Sequence, residues 1–170
     1  MNTRKTIPLC DVRGQYEHIR EEIDETVLSL LRSGLYIGGP TVKEFEDSFA
    51  AFCEVPYCTG VSSGTAALIH TLRALDVGPG DSVLLPAFTF IATAAAVRTV
   101  GAKPVFVDID TETLCLDPDQ TRKALREDTK VILAVHLFGL PADMDFLREI
   151  ANKQNLKLKL CLIQKFLQTL

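Results

Sequence analysis

The sequence predicts an α/β fold, a three-layer sandwich in which helices cover both faces of a parallel sheet. Two observations predict it. From residue 57 onward, short apolar runs alternate with stretches of helical periodicity, the order that produces parallel strands joined by crossover helices. The strongest of these runs, Val131-Ile132-Leu133-Ala134-Val135, carries no polar residue, as expected of a strand covered on both sides.

Each element has its own signal. Tyr16, Ile19, Ile23, Val27, Leu30 and Leu31 recur at helical spacing and predict an amphipathic helix over 15–33, stopped by Gly34. Thr41 with Glu44 three residues on, ahead of Phe45, Phe49 and Phe52, has the capping-box pattern of a second helix. A strand is expected over 57–62, then a helix over 65–75 with Leu68, Leu72 and Leu75 on one face. Gly78-Pro79-Gly80-Asp81 is a turn. A short strand over 82–85, an alanine-rich helix over 91–100, and a strand over 104–107 ending at Asp108 follow. The remaining expectations are a helix over 118–126, the strand 131–135, a helix over 143–152 and a strand over 156–163. No internal repeat or low-complexity linker interrupts this order.

Composition narrows the function. The 170 residues are 47% apolar and 24% charged, which fits one globular domain and excludes a disordered or fibrous chain. A net charge of −4 gives no support to nucleic-acid binding. No apolar run approaches the roughly 18 residues of a membrane span, and none of signal-peptide type follows Met1–Pro8. Five cysteines, odd in number and without a C-x-x-C pair, suggest neither a metal site nor a disulfide framework. The expected setting is a reducing cytoplasm. The last twenty residues hold four lysines and no Asp or Glu, a shift in composition from the rest.

In open α/β sheets ligands bind beyond the carboxyl ends of the strands, so the residues of interest should stand where strand gives way to helix. Three such junctions stand out. Ser62-Ser63-Gly64-Thr65-Ala66-Ala67 combines hydroxyls and a glycine at a helix start, where free N–H groups favour an anion. The same residues also make an ordinary N-cap. No G-x-x-x-x-G-K-[ST] or G-x-G-x-x-G pattern is present, so neither a P-loop nor a dinucleotide fingerprint is in place. Pro86-Ala87-Phe88-Thr89-Phe90 sets aromatics beside the next helix start, either to stack on a planar cofactor or to fill core. His136-Leu137-Phe138-Gly139 ends the most apolar strand; a lone histidine there is usually a hydrogen-bonded structural residue. Asp108 and Asp110 form a carboxylate pair best read as local backbone capping in a turn.

Taken in order, Ser63–Leu68, Gly78–Asp81, Pro86–Thr93, Gly101–Asp110 and Val135–Asp145 resemble successive blocks of the DegT/DnrJ/EryC1/StrS aminotransferases, and Gly34–Pro40 fits as well. The resemblance runs over about 9–155. It implies the type I fold of pyridoxal 5′-phosphate (PLP) enzymes, here the N-terminal part of the large domain, and a homodimer. It implies PLP as cofactor, and transfer of an amino group, usually from glutamate, to a nucleotide-linked keto sugar. By position, Gly64, Thr65 and Ala66 would hold the PLP phosphate, Phe90 would stack on the pyridine ring, His136 would sit near the cofactor pocket, and the loop 36–40 would lie near a substrate. The family's chemistry also needs a carboxylate at the pyridine nitrogen and a lysine that joins the cofactor covalently. The resemblance places both after Asn155, in an apolar-Glu-Asp context and an S-x-x-K setting. The sequence there reads Leu156-Lys157-Leu158-Lys159-Leu160-Cys161-Leu162-Ile163-Gln164, with no carboxylate after Glu149 and Leu162 three residues before Lys165. The expectation is therefore a domain over 1–155 with a divergent tail over 156–170, produced by a frame change or truncation, and no catalytic residue in the chain as written. The alternatives are a non-catalytic PLP-binding or dimer-forming fragment, a remnant of a PLP-dependent sugar dehydratase in which histidine replaces the lysine, and a product without function.

Overall fold

The computed structural model describes residues 11–153 and the backbone of 157–161. The chain divides into two compact units, one up to Gly60 and one from Val61 onward.

The first unit holds two helices, α1 (Val12–Ser33) and α2 (Pro40–Phe52). α1 begins three residues ahead of the expected start at 15 because the Asp11 carboxylate accepts the Gly14 N–H at 2.9 Å and caps the first turn. It ends where Gly34 takes a left-handed φ of 70°. The capping box expected at Thr41 and Glu44 does not form. Pro40 occupies the first helical position, where its fixed φ suits the helix and its missing N–H needs no partner, so α2 starts one residue before Thr41 with Gly39 at the cap. Phe45 and Phe49 stack within α2, with centroids 5.6 Å apart.

The strand expected over 57–62 is absent: the segment is irregular and largely exposed. Tyr57 and Val61 are too sparse an apolar run to build a sheet face. The Gly60 N–H is taken by the Glu46 carboxylate at 2.7 Å rather than by a ladder carbonyl. No described strand pairs with this segment.

The second unit is built on four parallel strands, β1 (Ser82–Pro86), β2 (Lys103–Val107), β3 (Thr129–Val135) and β4 (Lys157–Cys161), in the order β2-β1-β3-β4. β4 falls within the expected 156–163 and pairs with β3 from Val131↔Lys157 to Val135↔Cys161; positions 156, 162 and 163 lie outside the described residues. The helices are α3 (Gly64–Ala74), α4 (Ala92–Thr99), α5 (Pro118–Ala124) and α6 (Met144–Lys153), each within a residue or two of expectation. α5 is fixed at its start by Asp117, whose carboxylate accepts the Gln120 N–H at 2.8 Å, with Pro118 next.

Strand alternation sorts the core into two layers. Val83, Leu85, Val131, Leu133 and Val135 face one side, with Leu68 and Leu72 of α3 and Ala94 and Val97 of α4. Leu84, Ile132, Ala134, Val105 and Val107 face the other, with Leu147, Ile150 and Ala151 of α6 and, packed against them, Ala124 of α5. The predicted three-layer sandwich is thus present. α4 carries the chain from β1 to β2 on one face; α5 carries it back past β1 to β3 on the other. The direction of winding therefore reverses between β1 and β3, and their adjacent carboxyl ends form the topological switch point of the sheet.

Candidate active site at the carboxyl edge of the sheet

The residues singled out from sequence fall at three chain segments of the second unit. The first is the start of α3. Ser63 is extended (φ −167°, ψ 163°), and its hydroxyl accepts the Ala66 N–H at 3.1 Å. The Ala67 N–H is bound by the Ser63 carbonyl. Of the first helical N–H groups, those of Gly64 and Thr65 have no hydrogen-bond partner among the described residues. Leu68, at the start of the second turn of α3, lies in the same buried cluster as Leu85 and Val135, near the carboxyl ends of β1 and β3.

The second segment leaves β1. The Ala87 N–H is held by the Val107 carbonyl at 2.8 Å, which keeps the strand end in line with β2. The Thr89 hydroxyl accepts the Phe90 N–H at 3.1 Å and lies 2.7 Å from the hydroxyl of fully buried Thr93. This tie anchors the backbone at Phe90 while its ring is left 67% exposed. Phe88 is also exposed, so neither aromatic is core in this chain.

The third segment leaves β3. His136 is buried, and its Nδ1 accepts the Ala142 N–H at 3.0 Å, so the neutral ring carries its proton on Nε2. A single 3-10 turn follows over Leu137–Gly139. Within it Phe138 adopts φ 53° and ψ 20°, a left-handed conformation that costs an L-residue about 1–2 kcal/mol. The turn is braced by the Gly139 N–H on the His136 carbonyl and by the Cys115 thiol on the Leu140 carbonyl. Burial raises the pKa of that thiol, so Cys115 acts as a neutral donor. The rings of Phe88 and Phe138 meet with centroids 6.4 Å apart and planes tilted by 57°. This pairing across the switch point was not read from sequence; the one signal for it was an aromatic standing directly before Gly139.

The electrostatics of the three segments are simple. Residues 62–67, 86–91 and 136–142 contain no Asp, Glu, Lys or Arg, and His136 is their only titratable group. The fixed field comes from the amino end of α3, which favours an anion. Asp108 and Asp110 take no part. Asp108 accepts its neighbour's Ile109 N–H, and Asp110 accepts the Thr113 N–H, the Thr113 hydroxyl and the Glu112 N–H. The Thr113 bonds, backbone first, hold the Asp110 carboxyl below the ordinary aspartate range. The described residues include no group of three or more His, Cys, Asp or Glu able to hold a metal ion. No helix among them is long and apolar enough to cross a membrane.

The family model of the DegT/DnrJ/EryC1/StrS aminotransferases matches residues 17–160. The chain belongs to this family. Among curated relatives, it is 44% identical over 150 residues to a dTDP-3-amino-3,4,6-trideoxy-alpha-D-glucose transaminase of Streptomyces venezuelae, a match covering 88% of this chain and 40% of the relative. It is 45% identical over 147 residues to a UDP-2-acetamido-2-deoxy-3-oxo-D-glucuronate aminotransferase of Pseudomonas aeruginosa, covering 86% of this chain and 41% of the relative. Among solved structures, DesV of S. venezuelae in complex with a ketimine intermediate superposes with a TM-score of 0.88 at 43% identity, over 91% of this chain and 42% of the other. NtdA of Bacillus subtilis with bound cofactor PMP gives a TM-score of 0.87 at 36% identity, over 94% and 38%. The chain thus spans about two-fifths of the length of these family members.

Proposed function

We propose that the chain is the N-terminal part of a PLP-dependent aminotransferase that acts on a keto sugar carried on a nucleotide. The observation that carries this reading is the absence of Asp, Glu, Lys and Arg from 62–67, 86–91 and 136–142, together with the free N–H groups at the amino end of α3, which favour an anion. It is supported by the names of the relatives, which are nucleotide-sugar transaminases. The residues fit the cofactor in two parts. The N–H groups of Gly64 and Thr65, with the Thr65 hydroxyl, suit its phosphate; Ala66 joins them if the phosphate displaces the Ser63 hydroxyl from its N–H. The exposed ring of Phe90 suits a planar partner, and its tied backbone supplies the orientation. When bound, PLP would supply an electron-accepting ring that stabilises charge beside the transferred nitrogen. His136 follows the carboxyl end of β3, its Nδ1 accepting the Ala142 N–H, and would sit near the cofactor. None of these residues supplies a carboxylate for the pyridine nitrogen or an amine for covalent attachment.

We further propose that 156–170 departs from the family pattern through a frame change in the coding sequence. What supports this is the loss of acidic residues and of the expected apolar-Glu-Asp context directly after Asn155. Sequencing the locus through the codon for Asn155 tests it: a family-like continuation in another frame is expected, and its absence refutes the frame change. A cytoplasmic homodimer completes the proposal. It is supported by the free thiols of Cys53, Cys58 and Cys115 and by the exposed apolar side chains along α1, among them Ile23, Val27 and Leu31. Sedimentation gives the mass.

The cofactor reading is tested by titrating PLP, pyridoxamine 5′-phosphate (PMP) and pyridoxal into the chain. Phosphate-dependent binding is expected, with Thr65→Val weakening both phosphorylated forms. Equal affinity for PLP and pyridoxal would refute the assignment of residues 64–66.

A further inference from the structure

The backbone of Phe90 is held at both of its polar groups, and both holds lead to Thr93. The Phe90 N–H donates to the Thr89 hydroxyl at 3.1 Å, and that hydroxyl lies 2.7 Å from the hydroxyl of Thr93. The Phe90 carbonyl accepts the Thr93 N–H at 3.0 Å. Thr93 is 0% exposed and Phe90 is 67% exposed. A fully buried residue thus sets the backbone of an exposed aromatic one.

Helix capping does not account for the two threonines. α4 starts at Ala92 behind Ile91, which makes no side-chain cap bond. A capping hydroxyl accepts from N–H groups of the first helical turn, whereas the Thr89 hydroxyl accepts from Phe90, ahead of the helix. Core filling does not account for Thr93 either. Ala92, Ala94, Ala96 and Val97 around it in α4 are buried and apolar, and a valine would have the same shape. A buried hydroxyl costs free energy unless it finds a partner, and here the partner is Thr89. That contact selects one rotamer of Thr89, which aims its oxygen at the Phe90 N–H. Whichever hydroxyl donates to the other, the Thr89 oxygen keeps a lone pair for Phe90.

We infer that Thr93 is a positioning residue for the cofactor site: acting through Thr89 and through its own N–H, it fixes the backbone of Phe90 so that the ring is presented before the cofactor arrives. The inference rests on the proposed PLP site and adds to it a buried residue that touches no cofactor and moves no proton. Order set in advance spares the binding step the entropy of fixing that segment.

The test uses the full 170-residue chain with PMP as probe. Thr93→Val keeps the shape and removes the hydroxyl; Thr93→Ser keeps the hydroxyl and removes the methyl group. In the free chain, Thr93→Val should speed hydrogen exchange at the Phe90 amide, and Thr93→Ser should restore it. Thr93→Val should weaken PMP by about three- to ten-fold, the reach of one neutral hydrogen bond, and shrink the circular dichroism that bound PMP acquires. Thr93→Ser should keep both near the unsubstituted values, whatever the loss of its methyl group does to the urea midpoint. In a Phe90→Leu background Thr93→Val should have no further effect on PMP, because the hydroxyl acts through the ring. Unchanged PMP affinity or unchanged Phe90 exchange in Thr93→Val overturns the positioning role and leaves the cofactor reading standing. So does a Thr93→Ser variant as weak as Thr93→Val, or an equal loss in the Phe90→Leu background. No PMP binding by the unsubstituted chain overturns the positioning role and the cofactor reading together.

Discussion

Substitution Ser63→Ala separates two roles that meet at one hydrogen. The Ser63 hydroxyl accepts the Ala66 N–H at 3.1 Å, and that N–H is also one of the three assigned to the cofactor phosphate. Without ligand, the substitution removes an N-cap and should cost about 1 kcal/mol. For a chain of this length that is a fall of about 2–4 °C in the unfolding midpoint. With ligand, the sign of the comparison reverses. The unsubstituted chain offers an incoming phosphate two free N–H groups and one already engaged, whereas the variant offers three. A hydrogen bond to a charged acceptor is worth about 1.5–3 kcal/mol, so PMP should stabilise the variant by more than it stabilises the unsubstituted chain. At about a hundred times its dissociation constant a ligand adds about 2.7 kcal/mol, well within reach of a thermal or urea scan. Pyridoxamine, lacking the phosphate, serves as the control and should stabilise neither chain. A Ser63→Ala midpoint equal to that of the unsubstituted chain would refute the cap. A PMP shift no larger than the pyridoxamine shift in both chains would refute the phosphate site. Equal PMP shifts would remove Ala66 from it and leave Gly64 and Thr65.

Three further outcomes are expected. His136→Ala leaves the buried Ala142 N–H without its acceptor and should destabilise by about 1–3 kcal/mol in urea; an unchanged midpoint would mean the His136–Ala142 bond does not brace the turn. Leu133→Ala opens a cavity between β3 and the α3–α4 layer, where Leu133 is 1% exposed, and should cost about 3 kcal/mol or more; a loss near zero would contradict the packing of that layer. The Asp110 carboxyl has a depressed pKa because its charged form accepts the Thr113 and Glu112 donors. Its stabilising contribution is therefore present above the unfolded-state pKa and is lost as pH falls through the lower, folded-state value. The stability difference between the unsubstituted chain and Asp110→Asn should fade on acidification, and a difference that grows in acid would refute the turn's role.

Legibility in the sequence followed the source of each element's stability. β1 and β3 were legible because both of their faces are apolar, and the starts of β1 and α5 because they are punctuated locally, by Gly78-Pro79-Gly80-Asp81 and by Asp117-Pro118. The segment 57–62 was not: β-rich composition around Tyr57 and Val61 makes a strand only when another strand pairs with it, and none of the described strands does. At α2 the box residues Thr41 and Glu44 were legible, but Pro40 fits the first helical position better than Thr41 fits the cap. Gly64 opens α3 as expected, but with no described strand before it, so the first of the three junctions is a loop-to-helix start; Phe90 follows β1 as read. The Phe88–Phe138 contact depends on a left-handed φ at a phenylalanine, which sequence periodicity has no means to signal.

The placement of the lysines bears directly on the chemistry. Covalent attachment of PLP needs an amine at the carboxyl edge. Among the described residues of the second unit the lysines are Lys103, Lys123, Lys130 and Lys153, whose side chains are described, and Lys157 and Lys159, of which only the backbone in β4 is. Lys103 opens β2 and Lys130 is the second residue of β3, so both stand at the amino edge of a parallel sheet. From Lys130 to Val135 is five strand steps, about 16 Å, and the Lys130 ammonium is further held by the Asp76 carbonyl and the Asp81 carboxylate. Lys153 ends α6 and is paired with Glu149. Lys123 lines a shallow cleft with Phe106 and Asp108 beside β2, on the far side of β1 from the switch point. None of the four is placed to trap a cofactor whose phosphate rests on α3. Borohydride reduction of the chain with PLP, read by peptide mass spectrometry, should therefore find only slow modification at these four positions, scaling linearly with PLP concentration. A saturable adduct at any one of them would put the cofactor somewhere other than the carboxyl edge of the sheet.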